Sequence, residues 1–445
     1  MTARQPLSKG EKRLLIATVL FVIVAGAIGW WFYSINVNPV VNIPEPPPMP
    51  NPNARDIYLA AQGLKVPSLP SIEPAGRHVD IDRVYSSIQA GKIVPPAPGE
   101  RPPALADMQA LMAKNAPVFA KVQQGVACEY RETPSRSFQQ LFPHFAKLRD
   151  LARTMLADGD VKCASGDWDG GAERFVDILR VGNDIPRGGV LISMLVGVAI
   201  QAIGRADAWN TLDHVSGAEA RRAARRLEEI AAHRVSYADI LQEEKWATQA
   251  GLLELFNTPR WRTQGMLGEV MSESPTAFFR IQIVSKRTAM TNYTRYMDAL
   301  IANAKQPYTN ATKVPPVPHD PVSQMFAPVF TKARIKDVMA STENDLLMVS
   351  FALRAYLADH GKYPAGLQAL VPAYLKAIPA DPFTANGTLR YKRTGKTYVL
   401  YSVGPNGADD GGTPSADGQS SGPGAPVSSL RTGSTGDIVA GVNRY

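Results

Sequence analysis

The sequence has few of the residues and motifs that enzymes and metal sites most often use. Its 445 residues include two cysteines and six histidines, which excludes a four-cysteine zinc site and a scaffold held by many disulfides. No histidine begins an HExxH motif, and there is no SxxK pair, Walker loop or dinucleotide-binding glycine loop. We therefore predict no catalytic residues.

One acidic pair, Glu243 and Glu244, lies beside Lys245 and Trp246 on a predicted helix. Adjacent helical positions point about 100° apart, so the two carboxylates do not converge on one substrate as a catalytic pair must. We interpret this segment as a solvated helix face with Trp246 in the core. An exported hydrolase with its site in the helical region is the alternative function.

The sequence also lacks a surface of one charge. A net charge of +8 suits an anionic partner, but the basic residues are dispersed and stand beside acids, as Arg225 and Arg226 stand beside Glu228. Because no basic stripe with interleaved aromatic residues occurs, we expect no nucleic-acid partner. The apolar content of 45% is enough for a sizeable core, and the length allows two or three domains.

An uncharged run at residues 14–32 is long enough to cross a membrane, since about 19 residues at 1.5 Å each span a core of about 30 Å. Basic residues precede it and Trp30, Trp31 and Tyr33 follow, so we place the N-terminus in the cytoplasm. We predict a cytoplasmic tail at 1–13, a single-pass inner-membrane anchor at 14–35 and a periplasmic remainder. A cleaved signal peptide is the alternative.

Composition divides the exported part into segments. The proline-rich stretch at 36–53 predicts an extended spacer that holds this part off the membrane. Apolar residues at helical spacing predict a helical domain at 54–305, with a buried central helix at 190–202. The predicted segments that follow are a linker at 306–321, a small α+β head at 322–412 and a flexible Gly/Ser-rich tail at 413–445 that returns to the head at 436–440.

Two local patterns predict helices within the helical domain. Ser216 followed by Glu219 forms a capping box, which predicts a helix that begins at 217. Residues 148–184 predict an antiparallel helix pair with its turn at 166–168 and with Ala172 and Phe175 facing the core. The pair resembles one tetratricopeptide repeat, but no second copy follows at a period of about 34 residues. We predict one such hairpin inside a larger bundle.

The head has the order helix, predicted over 344–360, then turn, extended link, hairpin and acidic glycine-rich loop. Three motifs distinguish it: Gly361-Lys362-Tyr363-Pro364, Pro379-Ala380-Asp381-Pro382-Phe383 and Tyr401-Ser402-Val403-Gly404-Pro405-Asn406-Gly407. In these motifs and their order the head resembles the C-terminal head of the major pseudopilins of type II secretion systems. The predicted fold class is mainly α, a membrane-anchored helical bundle with a tetratricopeptide-like hairpin, followed by a small α+β head.

The resemblance also implies a calcium site after the last strand of the hairpin. Backbone carbonyls and acidic side chains hold the ion in the pseudopilins, and Gly436-Asp437-Ile438 is similar to the later part of their motif. The implied ligands are Val403, Asn406, Ala408, Asp409, Asp410 and Asp437. Asn406 replaces an expected aspartate, and the intervening loop is longer than in the pseudopilins. A cluster of Asn-Gly and Asp-Gly turns without a metal is the alternative.

Cys128 and Cys163 are the two cysteines, and both lie on the predicted exported side. Oxidising conditions there allow disulfides to persist. A bridge between them closes a loop of about 35 residues, which the chain-entropy model values at about 3–4 kcal/mol. We predict either this structural disulfide or two free thiols.

These features together predict a binding or scaffold protein anchored in the inner membrane. By resemblance, its head docks with a type II secretion or type IV pilus-like apparatus. The head lacks the hydrophobic polymerisation helix directly before it, so we expect an assembly or tethering role rather than filament membership. The partners are the membrane and an envelope protein. A calcium-stabilised structural protein is a further alternative.

Overall fold

The computed structural model describes residues 8–63, 105–258, 283–308, 314–414 and 434–441. It is mainly helical with one small sheet, as predicted. The helices are α1 (Lys9–Asn36), α2 (Ala54–Gly63), α3 (Leu105–Lys114), α4 (Ala116–Val126), α5 (His144–Ala164), α6 (Trp168–Asp184), α7 (Leu191–Thr211), α8 (Gly217–Ala232), α9 (Tyr237–Asn257), α10 (Lys286–Ala304) and α11 (Pro321–His360). A short 3-10 helix (Leu367–Leu370) and strands β1 (Arg390–Thr394), β2 (Thr397–Ser402) and β3 (Ile438–Val439) follow. Parts of the predicted tails at 1–13 and 413–445 lie outside the described residues.

Helix α1 contains the predicted anchor. An apolar window within Lys12–Asn36 is exposed along its whole length, and the helix is long and apolar enough to cross a membrane. Helix α7 also meets the length and hydropathy criteria, but half of its apolar window is buried in the protein. It is the buried central helix that the sequence predicts, and it extends beyond the predicted end at 202.

The helix that begins after Ser216 confirms one side of the predicted capping box. Ser216 Oγ accepts a hydrogen bond from the backbone N–H of Glu219 at 3.1 Å. The Glu219 side chain does not return to the Ser216 amide, because it pairs with Arg222. Asp169 takes that place, and its Oδ1 accepts the Ser216 amide at 2.8 Å. The helix start therefore also ties α8 to the start of α6.

The predicted helix pair at 148–184 is present as α5 and α6. Gly166 lies in the turn with φ +85°, a conformation that favours glycine. Asp167 caps α6 by accepting from the Gly170 amide at 2.9 Å. Ala172 and Phe175 are buried, as predicted. Helix α7 packs along α6, so the hairpin lies within a larger helical layer.

Helix α11 is the element for which sequence and structure differ most. The sequence predicts a head helix over 344–360, whereas the helix begins at Pro321 and has 40 residues. Asp320 caps it by accepting from the Ser323 amide at 2.9 Å. Helix α8 packs along α11, and a Cβ at Gly217 would approach the Ala358 Cβ to 2.5 Å. The two helices therefore meet at very short distance.

One hydrophobic core extends from α2 through α11 to β3, so the predicted head and helical domain share a core. Leu347 and Phe351 of α11 are buried in it beside Leu227 of α8 and Ile178 of α6. A second cluster joins α9, α10 and the first part of α11. The head is therefore packed on the helices rather than joined only by a linker.

The sheet is antiparallel, in the order β1-β2-β3. Strands β1 and β2 form the predicted hairpin, with Arg390 opposite Tyr401 and a turn that contains Gly395 at φ +62°. Strand β3 pairs with β2, with Val439 opposite Tyr401. The return of the chain to the head at 436–440 is therefore present as a third strand.

Candidate functional site

The end of β2 is held by Asp381, which lies in the second head motif and is buried. Its Oδ2 accepts from the Val403 amide at 3.0 Å, and its Oδ1 accepts from the Ser402 hydroxyl at 2.8 Å and from the Phe383 amide at 3.1 Å. Pro382 directly after it and Pro379 two residues before it restrict the link to extended or turn conformations. Asp381 therefore fixes the position from which the acidic loop departs.

Asp437 organises the acidic loop. The residue is fully buried, and its two carboxylate oxygens accept from the Asp410 amide at 3.2 Å and the Gly412 amide at 2.6 Å. Burial raises the pKa of Asp437, and these two amide hydrogen bonds oppose the increase. Its own amide donates to the Thr413 carbonyl at 2.8 Å. The segment around β3 is thereby joined to the loop after β2.

Two further predicted ligands belong to the same network. Asp410 Oδ2 accepts from Asn406 Nδ2 at 2.9 Å and from the Gly436 amide at 3.0 Å. Asn406 Oδ1 accepts from the Ala408 amide at 3.1 Å. The structure thus brings Asn406, Asp410 and Asp437 together at the junction of the loop and β3.

Asp409 points elsewhere. Its Oδ1 accepts from the Tyr401 hydroxyl at 2.9 Å and the Gly411 amide at 3.0 Å, and its Oδ2 is 3.4 Å from Arg390 Nε. The Gly411 amide, then Tyr401 and Arg390, lower the pKa of Asp409. Burial, followed by the hydrogen bond to Asp409, raises the pKa of Tyr401 to about 12. The structure therefore separates Asp409 from the other acidic ligands.

The acidic loop contains carboxylate and amide oxygens. Carboxylate and amide oxygens are the ligands that calcium prefers, and it needs six to eight of them. In the structure, backbone N–H groups donate hydrogen bonds to the carboxylates of Asp410 and Asp437. Within the described ranges, no group of three or more His, Cys, Asp or Glu side chains forms a metal cluster. The Val403 amide donates a hydrogen bond to Asp381, and this hydrogen bond holds the end of β2 in place.

Cys128 and Cys163 are both free thiols in the structure, as in the second of the two predicted alternatives, and the disulfide stays a prediction. Cys163 lies near the end of α5 and packs against α6, where a Cβ at Gly171 would come within 2.3 Å of its Sγ. Burial, followed by the charges of Asp160 and Asp207, raises the pKa of the Cys163 thiol to about 12. Such a thiol is a weak nucleophile at neutral pH.

Glu243 and Glu244 diverge on α9, as predicted, but they do not form a solvated face. Glu243 pairs with Arg136 at 3.4 Å. Glu244 turns inward, and its Oε2 accepts from the Leu191 amide at the start of α7 at 2.8 Å. Burial raises the pKa of both carboxyls. The sequence shows no sign of this inward position, because it depends on α7 and on the loop before α5.

Buried acidic residues elsewhere were also not predicted. Glu343 of α11 pairs with Arg205 of α7, and both are buried. Burial raises the pKa of Glu343 to about 7, against the opposing charge of Arg205. Asp160 and Asp207 bring two carboxyls together between α5 and α7, where burial raises the pKa of Asp160 to about 8 and that of Asp207 to about 6. These groups lie inside the helical layers.

The junction between α1 and the folded part is also defined. Ile35 is buried. Asn38 Nδ2 donates to Asn257 Oδ1 at 2.7 Å, and Lys286 Nζ donates to Asn38 Oδ1 at 2.8 Å. Lys286 also donates to the Phe256 carbonyl. The first residues of the predicted spacer therefore lie against the end of α9 and the start of α10. The buried ammonium group of Lys286 requires hydrogen-bond acceptors, and Asn38 and Phe256 supply them.

Comparison of the chain with protein-family models, with curated proteins and with solved structures gave no match.

Proposed function

We propose that this chain is a binding or scaffold protein anchored in the inner membrane, with its N-terminus in the cytoplasm and its folded part in the periplasm. The observation that carries the proposal is the junction after α1. An exposed apolar helix continues into residues that Lys286 and Asn257 hold against the folded part. Such an attachment suits a protein that positions a partner at a fixed distance from the membrane.

The partner we propose is a component of a type II secretion or type IV pilus-like apparatus. This step rests on the resemblance of the head to the pseudopilin head. A role outside the filament is supported by the packing of α11, since α8 covers it and Glu343 and Asp337 pair with Arg205 and Arg234. A helix enclosed in this way does not offer its apolar side to neighbouring subunits.

Crosslinking with mass spectrometry in native membranes tests this function. The full chain should be crosslinked to a secretion or pilus-like component. The matched control replaces the anchor by a cleavable signal peptide, which leaves the folded part intact and releases it from the membrane. We expect weaker recovery of the partner with this control. Recovery of no such component by the anchored chain contradicts the proposal.

The topology has its own test. Alkaline phosphatase fused after Tyr445 should be active, because the enzyme requires the periplasm, whereas β-galactosidase fused at the same point should be inactive. The opposite pattern contradicts a periplasmic folded part. Resistance of the anchored protein to extraction from membranes by carbonate distinguishes an anchor from a cleaved signal peptide, which leaves a soluble product.

We also propose that the acidic loop binds calcium through Asn406, Asp410 and Asp437, with Asp409 outside the ligand set. The full chain in detergent micelles should melt at higher temperature in calcium than in EDTA, since a ligand at about 100 times its Kd stabilises by about 2.7 kcal/mol. Asp437→Ala should abolish the calcium-dependent increment, whereas Asp409→Ala should retain it. No increment in the wild-type protein at millimolar calcium contradicts the metal site.

A further inference from the structure

A cleft lies between the loop before α5, the start of α7 and the middle of α9. Its volume is about 330 Å³, at the small end of the range for ligand sites, about 300–1,000 Å³. This volume suits a group of the size of one or two side chains. Its walls are mainly apolar, with contributions from Phe142, Val190, Leu195 and Ala247.

Glu244 is the charged residue of this lining. Its Oε2 accepts from the Leu191 amide at 2.8 Å. Its Oε1 has no hydrogen-bond or ion-pair partner among the residues that the structure describes. Burial raises the pKa of Glu244, and that one amide opposes the increase. A half-buried carboxylate with a single hydrogen bond favours a cationic ligand.

Arg136 in the loop before α5 is already paired. Arg136 donates to its neighbour's carbonyl, at Ser135, at 2.7 Å, and it pairs with Glu243 at 3.4 Å. The cation beside the cleft is thus held by the adjacent carboxylate and does not neutralise Glu244. A positive charge for Glu244 has to arrive with the ligand.

The mouth of the cleft is apolar as well. Phe138 and Ile192 line it and are 39% and 43% exposed, and Leu141 in the same loop is 83% exposed. The ring of Phe138 lies on α9 at Gly251, where a Cβ would come within 2.8 Å of ring atoms. The loop is thereby seated on α9.

We infer that this cleft binds a primary ammonium group carried on a short aliphatic stem, with the ammonium at Glu244 Oε1 and the stem between Val190, Leu195 and Ala247. An ammonium group has three donors, and a charge-assisted hydrogen bond is stronger than a neutral one. Both a free amine and the amino-terminal aliphatic residue of a peptide present this chemistry. The site is independent of the head, and its ligand goes beyond the scaffold function proposed above.

Isothermal titration of the full chain in lipid nanodiscs tests the inference. Isopentylamine and isopentyl alcohol have nearly the same shape and differ in charge, so the amine should bind at least about tenfold more tightly. Glu244→Gln should remove this preference while retaining an oxygen that accepts the Leu191 amide. Glu243→Gln is the matched control on the same helix, and it should keep the preference. Thermal unfolding of each variant shows that it is folded.

Two further arms define the ligand. Leucinamide and N-acetyl-leucinamide compare a free amino terminus with a blocked one, and tighter binding of leucinamide extends the site to peptide ends. Binding of isopentylamine without leucinamide restricts it to free amines. Ala247→Leu, which fills the cleft, should weaken every probe that binds. Equal affinity of the amine and the alcohol, or an unchanged preference in Glu244→Gln, overturns the inference.

Discussion

Replacement of Asp381 by alanine should unfold the end of the sheet. The carboxylate of Asp381 receives three hydrogen bonds, from the Val403 and Phe383 amides and from the Ser402 hydroxyl. Val403, Phe383 and Ser402 are buried, so water does not replace the lost acceptor. Each donor left unpaired in the interior costs about 1–3 kcal/mol.

The expected loss follows from these contacts. Three unpaired donors at about 1–3 kcal/mol each give a sum that relaxation of the loop reduces toward its lower part, about 3–5 kcal/mol. We expect Asp381→Ala to fall in that range. Asp381→Asn retains one carbonyl oxygen and should lose about 1–3 kcal/mol. Ser402→Ala removes a single donor and should cost about 1 kcal/mol.

Hydrogen exchange followed by mass spectrometry on the full chain in nanodiscs measures the effect locally. Peptides that cover β2 and the acidic loop should exchange faster in Asp381→Ala, because strand opening requires less free energy. Peptides from α5 and α6 serve as the internal control and should be nearly unchanged. A loss below about 0.5 kcal/mol, the level of ordinary surface substitutions, together with unchanged exchange in β2, refutes this account of Asp381.

Three other predictions concern the helical layers. Asp160 has a pKa of about 8 in the folded protein against an ordinary value of 3.8. Its contribution to folding stability is therefore fully present below pH 3.8, declines above that pH and is lost as pH rises through 8. Asp160→Asn should reduce this loss of stability with rising pH, which is at most on the order of 5 kcal/mol. If urea unfolding shows the same pH dependence in the wild type and in Asp160→Asn, the raised pKa of Asp160 is contradicted. Gly217→Ala should destabilise the protein by about 1–3 kcal/mol through overpacking against Ala358. Adding Ala358→Gly to the same chain should restore part of this loss. If the losses of the two single variants simply add in the double variant, as measured by thermal unfolding, the contact between the two positions is contradicted. Iodoacetamide should alkylate Cys163 slowly at pH 8, because its pKa of about 12 leaves little thiolate. Rapid alkylation in the native protein, measured by mass spectrometry, contradicts the raised pKa.

Local sequence signals account for the parts of the fold that were predicted. The cap at Ser216, the turn at Gly166 and the hairpin turn at Gly395 each depend on residues within a few positions of one another. The start of α11 had a comparable signal in Asp320 followed by Pro321, a capping residue before a proline at the first helical position. The prediction missed it because residues 321–343 do not form a single apolar stripe. That part of the helix packs in two different clusters.

The candidate site depended more on distant contacts. Asn406 and Asp410 were implied as ligands by the resemblance to the pseudopilin head, and the structure places them beside Asp437 because β3 pairs with β2. Asp409 shares the same local pattern, yet it turns toward Arg390 of β1, whose position depends on the hairpin register. Glu244 is a similar case. Its inward position requires α7 and the loop before α5, neither of which its neighbours in sequence specify.

Helix α11 belongs to both hydrophobic clusters, and this connects the anchor with the sheet. Its first part contributes Val322 and Phe330 to the cluster of α9 and α10, the helices that hold Asn38 at the end of α1. Its later part contributes Leu347 to the core that includes the sheet. A helix of 40 residues rises about 60 Å at 1.5 Å per residue. Since a continuous helix resists bending more than a loop does, displacement of the sheet by a partner acts on the same helix that packs in the cluster of α9 and α10.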